Sequence, residues 1–478
     1  MLITPEIVDA AVLDMDALEL AQWIREKKIS SRKAVEIYIA HLNEINPSLN
    51  CLVENRFEEA LMEADRADHQ VETGQATGLL SGVPISMKEA FDVKGMKTTG
   101  GLLKRKDAVM DKDAEVVRRL RAEGAIILGK SNTPELCFCQ ETDNKLYGRT
   151  NNPHNLMRTA GGSSGGEGSL IAAGGAAAGL GSDIGGSIRF PSHFNGVVGF
   201  KSGKDQVSQD GSFPEVKNDL QNRMLGIGPM TKSVKDTRAI YSIIAKKPVP
   251  AKKLDEFILN TIPASHYPLT DDTRKLLDAV ARKIASAFES EGEIPPYFDD
   301  SAGIWQEIMS IEGSSDARNE VYGEKSLNLY NSYLKERLTG KSEVHRYLSW
   351  ALIGASLFRP SGKRLVKMRE YLHHGDHILE NYFKGRILIM PVYHKAAPEH
   401  GTVYSEIFSI RKTFKQYLPY VAYANTWGLP ALTVPLGTDG EGLPIGIQLI
   451  SRNGNEEALF QLGEWLEKNF DSYKRAVL

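Results

Sequence analysis

Three serines, Ser163, Ser164 and Ser187, lie in a stretch from residue 159 to residue 201 that is unusually rich in glycine. Glycine costs free energy in an ordinary helix or strand, so this density is expected where the backbone needs unusual dihedral angles or close approach. In the segment Gly185-Gly186-Ser187, backbone N–H groups can converge on a small anion without obstruction from side chains. A serine nucleophile beside such donors is typical of acyl-transfer chemistry, which also requires a base.

Lys88 is a candidate for that base. The segment VPISMK at 83–88 alternates like a β-strand, with apolar residues on one face and Ser86 and Lys88 on the other. A free lysine has a pKa near 10.4 and is almost fully protonated at pH 7, so it accepts a proton only if burial favours its neutral form. Since most lysines are solvated surface charges, the hypothesis requires Lys88 to be buried.

Two short motifs point to other chemistry. GAIILGKS at 124–131 fits the phosphate-binding pattern G-x-x-x-x-G-K-S, but the residues between its glycines are apolar and predict a buried strand instead of a flexible loop. GGSSG at 161–165 fits the nucleophile elbow of α/β-hydrolases, but the ten residues before it are polar and predict a loop, whereas an elbow follows an apolar strand. Phosphate binding and an α/β-hydrolase with a later Asp and His are therefore the weaker interpretations.

Hydrophobic periodicity predicts an α/β fold. Helical spacing covers the segments 16–28, 32–45 and 113–123. Short apolar runs predict strands at 83–88, 125–128, 197–200, 387–391, 431–436 and 445–450. The alternation of the two types favours a sheet covered by helices.

The segment from 246 to 375 has a different texture, with polar, aromatic-rich helical patterns at 271–291 and 344–358 and few strand patterns. We expect one domain over 1–478, with a core at 1–245 and 376–478 and a variable helical elaboration at about 246–375 that shapes the substrate site. The apolar segment 345–358 could touch a membrane, but it lacks the basic face of membrane-surface helices. An ordinary packed helix is favoured.

Composition excludes several classes of function. The net charge of −3 is spread along the chain without a basic stripe, so nucleic acid is not an expected ligand. The N-terminus lacks a basic start and a cleavage site, and no apolar run is long enough to span a membrane. Cys51, Cys137 and Cys139 are an odd number without zinc-ligand spacing, which favours the cytoplasm and implies no metal.

The stretch 159–201 resembles the signature of the amidase signature family, whose triad is Ser-Ser-Lys. GGSSGGEGSLIAAGG and GLGSDIGGSIRFPSHFNGVVGFK reproduce the family's serine and glycine placement, and GVPISMKEAFDVKGMKTTGG at 82–101 carries its lysine as Lys88. NTWGLPALTVPLG and GLPIGIQLI near the C-terminus are a third match. The GGSSGGEG form and the run ELCFCQETDNKLYGRTNNP are most similar to the fatty-acid amide hydrolase branch. The resemblance implies an amidase-signature fold, a mixed central β-sheet covered by helices on both faces.

The resemblance also implies a role for each matching residue. Lys88 is the expected base, Ser163 the bridging serine after a cis peptide bond at Gly162-Ser163, and Ser187 the nucleophile. The expected oxyanion hole consists of backbone N–H groups, those of Ile184, Gly185, Gly186 and Ser187. Residues expected to support this geometry are Gly162, Ser164, Asp183 and Arg189. Residues expected near the acyl site are Cys137, Phe138 and Cys139, for which simple core packing is an equal alternative.

The sequence thus predicts an amidase that hydrolyses the C–N bond of a linear carboxylic amide through an acyl-serine intermediate, without metal or cofactor. Its expected partner is a small-molecule amide, with no nucleic acid and no obligatory membrane, and a homodimer is a further expectation. One alternative is the glutaminase subunit of a tRNA-dependent amidotransferase. Another, from a different class, is a catalytically silent binding protein with the same fold.

Overall fold

A central sheet of eleven strands organises the chain, whose computed structural model describes residues 5–323, 329–407 and 412–478. Its strands, and two that form a separate small sheet (β4 and β5), are β1 Leu52–Asn55, β2 Pro84–Lys88, β3 Ile126–Ser131, β4 Asn151–Asn152, β5 Asn155–Thr159, β6 Ala178–Asp183, β7 Val198–Lys201, β8 Gly226–Thr231, β9 Ile258–Thr261, β10 Ser290–Glu291, β11 Arg386–Pro391, β12 Ala431–Thr438 and β13 Pro444–Ile450.

The described helices are α1 Pro5–Asp14, α2 Ala17–Arg25, α3 Ser31–Leu49, α4 Phe57–Glu72, α5 Glu115–Ala122, α6 Gly165–Ala172, α7 Arg189–Asn195, α8 Asp219–Asn222, α9 Val234–Ile244, α10 Asp271–Ala285, α11 Ser301–Met309, α12 Ser315–Tyr322, α13 Leu329–Thr339, α14 Arg346–Leu357, α15 Gly362–Tyr382, α16 Thr402–Ile407, α17 Lys412–Thr426 and α18 Glu456–Asn469. None of these helices is long and apolar enough to cross a membrane.

The sheet is mixed, in the order β1-β3-β2-β6-β8-β7-β12-β13-β11-β9-β10. Strand β2 runs parallel to β3 on one side and to β6 on the other, and β9 is parallel to β10 and β11, while the remaining pairs are antiparallel. The carboxyl ends of β3, β2 and β6 therefore meet at one edge, which is where α/β sheets place their ligand sites. The expected fold class is confirmed.

The apolar runs predicted as strands form β2, β3, β7, β11, β12 and β13, with ends that differ by up to three residues. Two central strands were not predicted. Strand β6 (AGLGSD) and strand β8 (GIGPMT) are buried but rich in glycine, so they carry no run of β-branched or aromatic residues to mark them.

The segment 246–375 is not wholly helical, which corrects the prediction for it. Strands β9 and β10 lie within it and complete one edge of the central sheet, and the helix predicted to reach residue 291 ends at Ala285. The other regular elements of the segment are helices. Helix α14 is a packed helix, with Leu348 and Leu352 buried in a cluster that includes Leu136.

The phosphate-loop interpretation is excluded, because 126–131 is a fully buried strand and Lys130 Nζ lies 2.8 Å from Thr98 Oγ1 inside the protein. The prediction of a loop before Ser163 is wrong, because residues 151–159 form the small hairpin of β4 and β5. That hairpin stands apart from the central sheet, so the strand of a nucleophile elbow is missing before Ser163 among the described residues.

Candidate active site

Lys88 ends β2 and is fully buried. Its Nζ lies 2.7 Å from Ser163 Oγ and 3.0 Å from Ser182 Oγ. Burial lowers the pKa of Lys88 below the ordinary lysine value, while the nearby Cys137, Asp183 and Glu167 act in the opposite direction. The environment therefore favours a neutral amine, as a base requires.

Ser163 and Ser164 stand immediately before α6. The Gly162-Ser163 peptide bond is cis, as the resemblance implied, and Thr133 Oγ1 donates to Ser163 O at 2.9 Å. Glycine is needed at 162 because a Cβ there would lie 2.6 Å from the backbone nitrogen of Glu141. Ser164 N–H donates to Ser187 O at 3.1 Å, which joins this segment to the one that carries Ser187.

Ser187 lies in the turn between β6 and α7, and the carboxylate of Asp183 shapes that turn. Asp183 accepts from the N–H groups of Gly186 at 2.8 Å and of Ile188 at 3.1 Å. Gly186 has a φ of 95°, which favours glycine. The Gly186 N–H, expected in the oxyanion hole, donates to Asp183 within the turn in this structure.

The carbonyl groups of the same turn are also held. Trp305 Nε1 donates to Ile184 O at 2.7 Å, and Gln140 Nε2 donates to Gly185 O at 3.1 Å. Within the part of the chain that the structure describes, the N–H groups of Ile184, Gly185 and Ser187 have no acceptor. Held carbonyls and unpaired N–H groups are the arrangement that an oxyanion hole requires.

Arg189 and Asp183 form a buried ion pair behind the turn, with 3.0 Å between Arg189 Nε and Asp183 Oδ2. Burial by itself would raise the pKa of Asp183, but the charge and hydrogen bonds of Arg189 outweigh it and hold that pKa well below its usual range. Asn425 Nδ2 donates to Asp183 Oδ1 at 2.9 Å, and Arg189 Nη1 donates to Gln448 Oε1 at 3.1 Å. The pair acts as scaffold, and it connects the third sequence match to the turn.

A cavity of about 620 Å³ opens beside these groups, and both Ser163 and Ser187 lie in its wall. Cys137, Phe138 and Cys139 line it as well. Burial raises the pKa of the Cys139 thiol well above its ordinary value, so this thiol stays neutral. A smaller cavity of about 80 Å³, lined mainly by apolar side chains, shares Phe138, Trp305 and Met309 with the first.

The described lining of the main cavity contains no histidine, and the amine of Lys88 is in contact with Ser163, which lies in that lining. No group of three or more His, Cys, Asp or Glu side chains able to hold a metal ion is found in residues 5–323, 329–407 and 412–478.

Sequence reasoning missed several residues that position the site, namely Thr133, Gln140, Glu167, Ser182, Trp305, Asn425 and Gln448. Several of these residues lie inside the matched stretches, so those stretches offered a signal: Gln140, Glu167, Ser182, Asn425 and Gln448. Trp305 lies in the segment that the motifs leave unmatched, and only its contact with Ile184 reveals it.

Comparison with known proteins agrees with this geometry. The sequence model of the family described as Amidase matches residues 33–278 and 295–460. Fatty-acid amide hydrolase 2-B of Danio rerio is 34% identical over 489 residues, a match that spans 97% of this chain and 90% of the relative. The chain belongs to the amidase family. It is therefore an amide-hydrolysing enzyme, and the expectations of family, fold and amidase activity are confirmed.

Other amidase relatives cover the chain equally well. The glutamyl-tRNA(Gln) amidotransferase of Lachnospira eligens contains a subunit that is 31% identical over 489 residues, or 95% of this chain and 98% of the relative. The solved structure of a fatty acid amide hydrolase superposes with a TM-score of 0.81 at 22% identity, covering 98% of this chain and 87% of that one. At that identity the superposition supports the shared fold alone.

Proposed function

We propose that this amidase hydrolyses a linear carboxylic amide to an acid and an amine or ammonia, with Ser187 as nucleophile, Ser163 as proton bridge and Lys88 as base. The observation that carries the proposal is the 2.7 Å separation of the buried Lys88 Nζ and Ser163 Oγ. Ser163 and Ser187 both line the main cavity. A buried amine whose pKa burial lowers, in contact with a hydroxyl, is suited to accept its proton.

In the proposed acylation step, Ser163 passes its hydroxyl proton to Lys88 and takes one from Ser187. Ser187 Oγ then bonds to the amide carbon, and the resulting oxyanion accepts hydrogen bonds from the N–H groups of Ile184, Gly185 and Ser187. The C–N bond breaks as the proton returns from Lys88 through Ser163 to the leaving nitrogen. The products of this step are a free amine and an acyl ester of Ser187.

Water attacks the acyl ester in the second step. Its proton passes through Ser163 to Lys88, and the collapse of the second oxyanion releases the acid and returns the proton to Ser187. The neutral states of Lys88, Ser163 and Ser187 are restored, so the cycle balances in atoms and charge.

For the acyl part of the substrate we propose a long or bulky apolar group. The relatives called fatty-acid amide hydrolases support this choice. So do Phe138, Trp305 and Met309, which line both the cavity that contains Ser187 and the smaller apolar cavity. A panel that varies acyl length and leaving amine independently tests it. A preference for short polar acyl groups would contradict it.

A fluorophosphonate tests the nucleophile, because it forms a stable ester with an activated serine and releases fluoride. We expect mass spectrometry to find the adduct on the peptide that contains Ser187, and Ser187→Ala to lose it. Ser212→Ala, which changes another serine of the cavity wall, is the matched control and should keep the adduct. An adduct on Ser163 or on no serine would refute the assignment.

The second candidate is a glutaminase subunit, which the match to the Lachnospira eligens amidotransferase favours. An activity assay of the purified chain without partners distinguishes the two candidates. Our proposal predicts turnover of simple acyl amides in this assay, whereas a glutaminase subunit would require its partner subunits. The expected cytoplasmic location, the homodimer and the independence from nucleic acid and membranes also remain proposals. Cell fractionation and light scattering of the purified chain test the first two.

A further inference from the structure

Glu167 is a buried carboxylate that the proposed mechanism does not use. It lies in the first turn of α6, and its two oxygens accept hydrogen bonds from Ser86 Oγ and Ser131 Oγ. A Cβ at Gly179 would overlap this carboxylate, so the glycine of β6 makes room for it. The donors and the fitted space form a specific site for one acid side chain.

The two donors flank Lys88. Ser86 stands two residues before Lys88 on the same face of β2, and Ser131 is the partner of Lys88 in the register of β2 with β3. Helix α6, which carries Glu167, begins directly after Ser163 and Ser164. The hydrogen bonds of Glu167 therefore hold the strand of the base against the helix that follows the bridging serine.

Of the two carboxylates near Lys88, one is paired with a cation and, among the residues that the structure describes, the other is not. Three ionisable groups face it: Glu167 from α6, Asp183 from β6 and Cys137 from the segment after β3. Asp183 forms its ion pair with Arg189. Within the described residues, no Lys, Arg or His nitrogen lies within 4.0 Å of a Glu167 oxygen, so the charge of Glu167 is not cancelled by a contact cation.

We propose that Glu167 is a positioning residue for the base, which aligns Lys88 with Ser163 and supplies the counter-charge for the ammonium group that Lys88 becomes during acylation. This rests on the proposed function of Lys88. A negative charge near a developing positive charge stabilises it more strongly in a buried site than in water. The hydroxyl donors stabilise the ionised carboxylate at a place where burial opposes charge.

The pH dependence has a defined sign. Burial raises the pKa of Glu167 to about 7, against the opposing effect of Ser131 and Ser86. As pH falls through that value, Glu167 gains a proton and its counter-charge disappears, so Lys88 becomes a weaker base. The neighbouring Cys51 thiol, whose pKa burial raises to about 12, stays neutral throughout this range.

The test compares wild type with Glu167→Gln by the pH profile of kcat/KM for a simple acyl amide. Without the charge of Glu167, the pKa of Lys88 falls further, so the acid limb of the kcat/KM profile should move to lower pH. Because Lys88 is then a weaker base, the plateau of the profile should drop by about tenfold or more. Glu467→Gln is the matched control: Glu467 on α18 accepts from Val234 N–H, and burial raises its pKa to about 7 as well. That variant should keep both limb and plateau.

Ser131→Ala provides a second variant with the opposite sign. It removes one donor but keeps the carboxylate, so Glu167 protonates at higher pH and the acid limb should move up. A uniform fall in rate without any movement of the limb in either variant would show a structural role only and overturn the proposal. If the wild type itself neither hydrolyses amides nor labels at Ser187, the proposed function fails instead, which keeps the two outcomes apart.

Discussion

As the proposed base, Lys88 requires surroundings that surface lysines do not need, because a base must be neutral before it can accept a proton. Its spacing in VPISMK predicted only that it shares a face with Ser86. Full burial and contact with Ser163 and Ser182 depend on β3, β6 and α6, which approach it from distant parts of the chain.

The first prediction concerns the pH profile. Because burial lowers the pKa of Lys88 below its ordinary value of 10.5, kcat/KM should rise with pH through an apparent pKa below that value and then level off. Lys88→Met, similar in length and without a titratable amine, should lose at least about a hundredfold in kcat/KM. Steady-state kinetics over a wide pH range check both. A limb that tracks free lysine would contradict the buried base.

The second prediction concerns Gln140. Its Nε2 fixes the Gly185 carbonyl, while its Oε1 is buried without a partner among the described residues. Gln140→Leu removes one hydrogen bond and one unpaired oxygen together, so the free energy of unfolding should change by less than about 1 kcal/mol. kcat should nevertheless fall, because Gly185 loses the contact that orients its N–H. Unfolding curves and turnover of an acyl amide test this. A fall in kcat accompanied by a loss of more than about 1 kcal/mol in the free energy of unfolding would contradict it.

At the scale of elements, the helices and apolar strands follow from periodicity, whereas β6, β8 and β9 do not. Strand β6 needs glycine at 179 because Glu167 occupies the adjacent space, so its composition reflects the site and not strand propensity. The elements hardest to predict are thus those whose residue types are fixed by contacts with side chains from other parts of the chain.

The third prediction compares glycines in two helices. A Cβ at Gly375 of α15 would overlap the ring of Trp427, whereas a Cβ at Gly354 of α14 meets no atom within 4 Å. Gly375→Ala should lower the free energy of unfolding by about 1–3 kcal/mol through overpacking. Gly354→Ala, its matched control, should raise it by about 0.5–1 kcal/mol, since alanine is the better helix former. Chemical denaturation measures both, and the same sign in both would contradict the packing argument.

At the scale of the whole molecule, Asp183 and Arg189 connect the two ends of the chain. Asn425 of α17 and Gln448 of β13 contact the pair from the C-terminal part, and the Ser187 turn rests on it. The pair is buried, so the loss of one partner leaves the other charge without compensation.

The fourth prediction is that Asp183→Asn lowers the free energy of unfolding by about 3–5 kcal/mol at pH 7 and reduces activity. The folded pKa of Asp183 lies below its unfolded value near 3.9, so the carboxylate stabilises the fold at higher pH and this contribution is lost as pH falls below that value. The gap between variant and wild type should therefore narrow in acid. Urea unfolding at several pH values measures it.

Asp471→Asn is the control for that experiment, since Asp471 and Lys474 form an exposed ion pair with 3.1 Å between their charged atoms. The loss of this exposed pair should lower the free energy of unfolding by less than about 1 kcal/mol, because solvent already screens its charges. If the two variants lost the same free energy of unfolding, burial would not make the Asp183–Arg189 pair more important for stability than an exposed pair.

Sequence alone predicted the family and the fold class, both of which are confirmed, and it singled out Lys88, Ser163 and Ser187 as the candidate triad. It could do so because the chemistry of such a triad demands fixed residue types and the motifs are contiguous along the chain. The tertiary structure decided that Gly186 donates to Asp183 instead of lying free, that Trp305 and Gln140 hold the turn, and that Glu167 lies beside the base. Hydrogen bonds and burial depend on distance in space, and residues far apart in sequence carry no local pattern that shows which of them will meet.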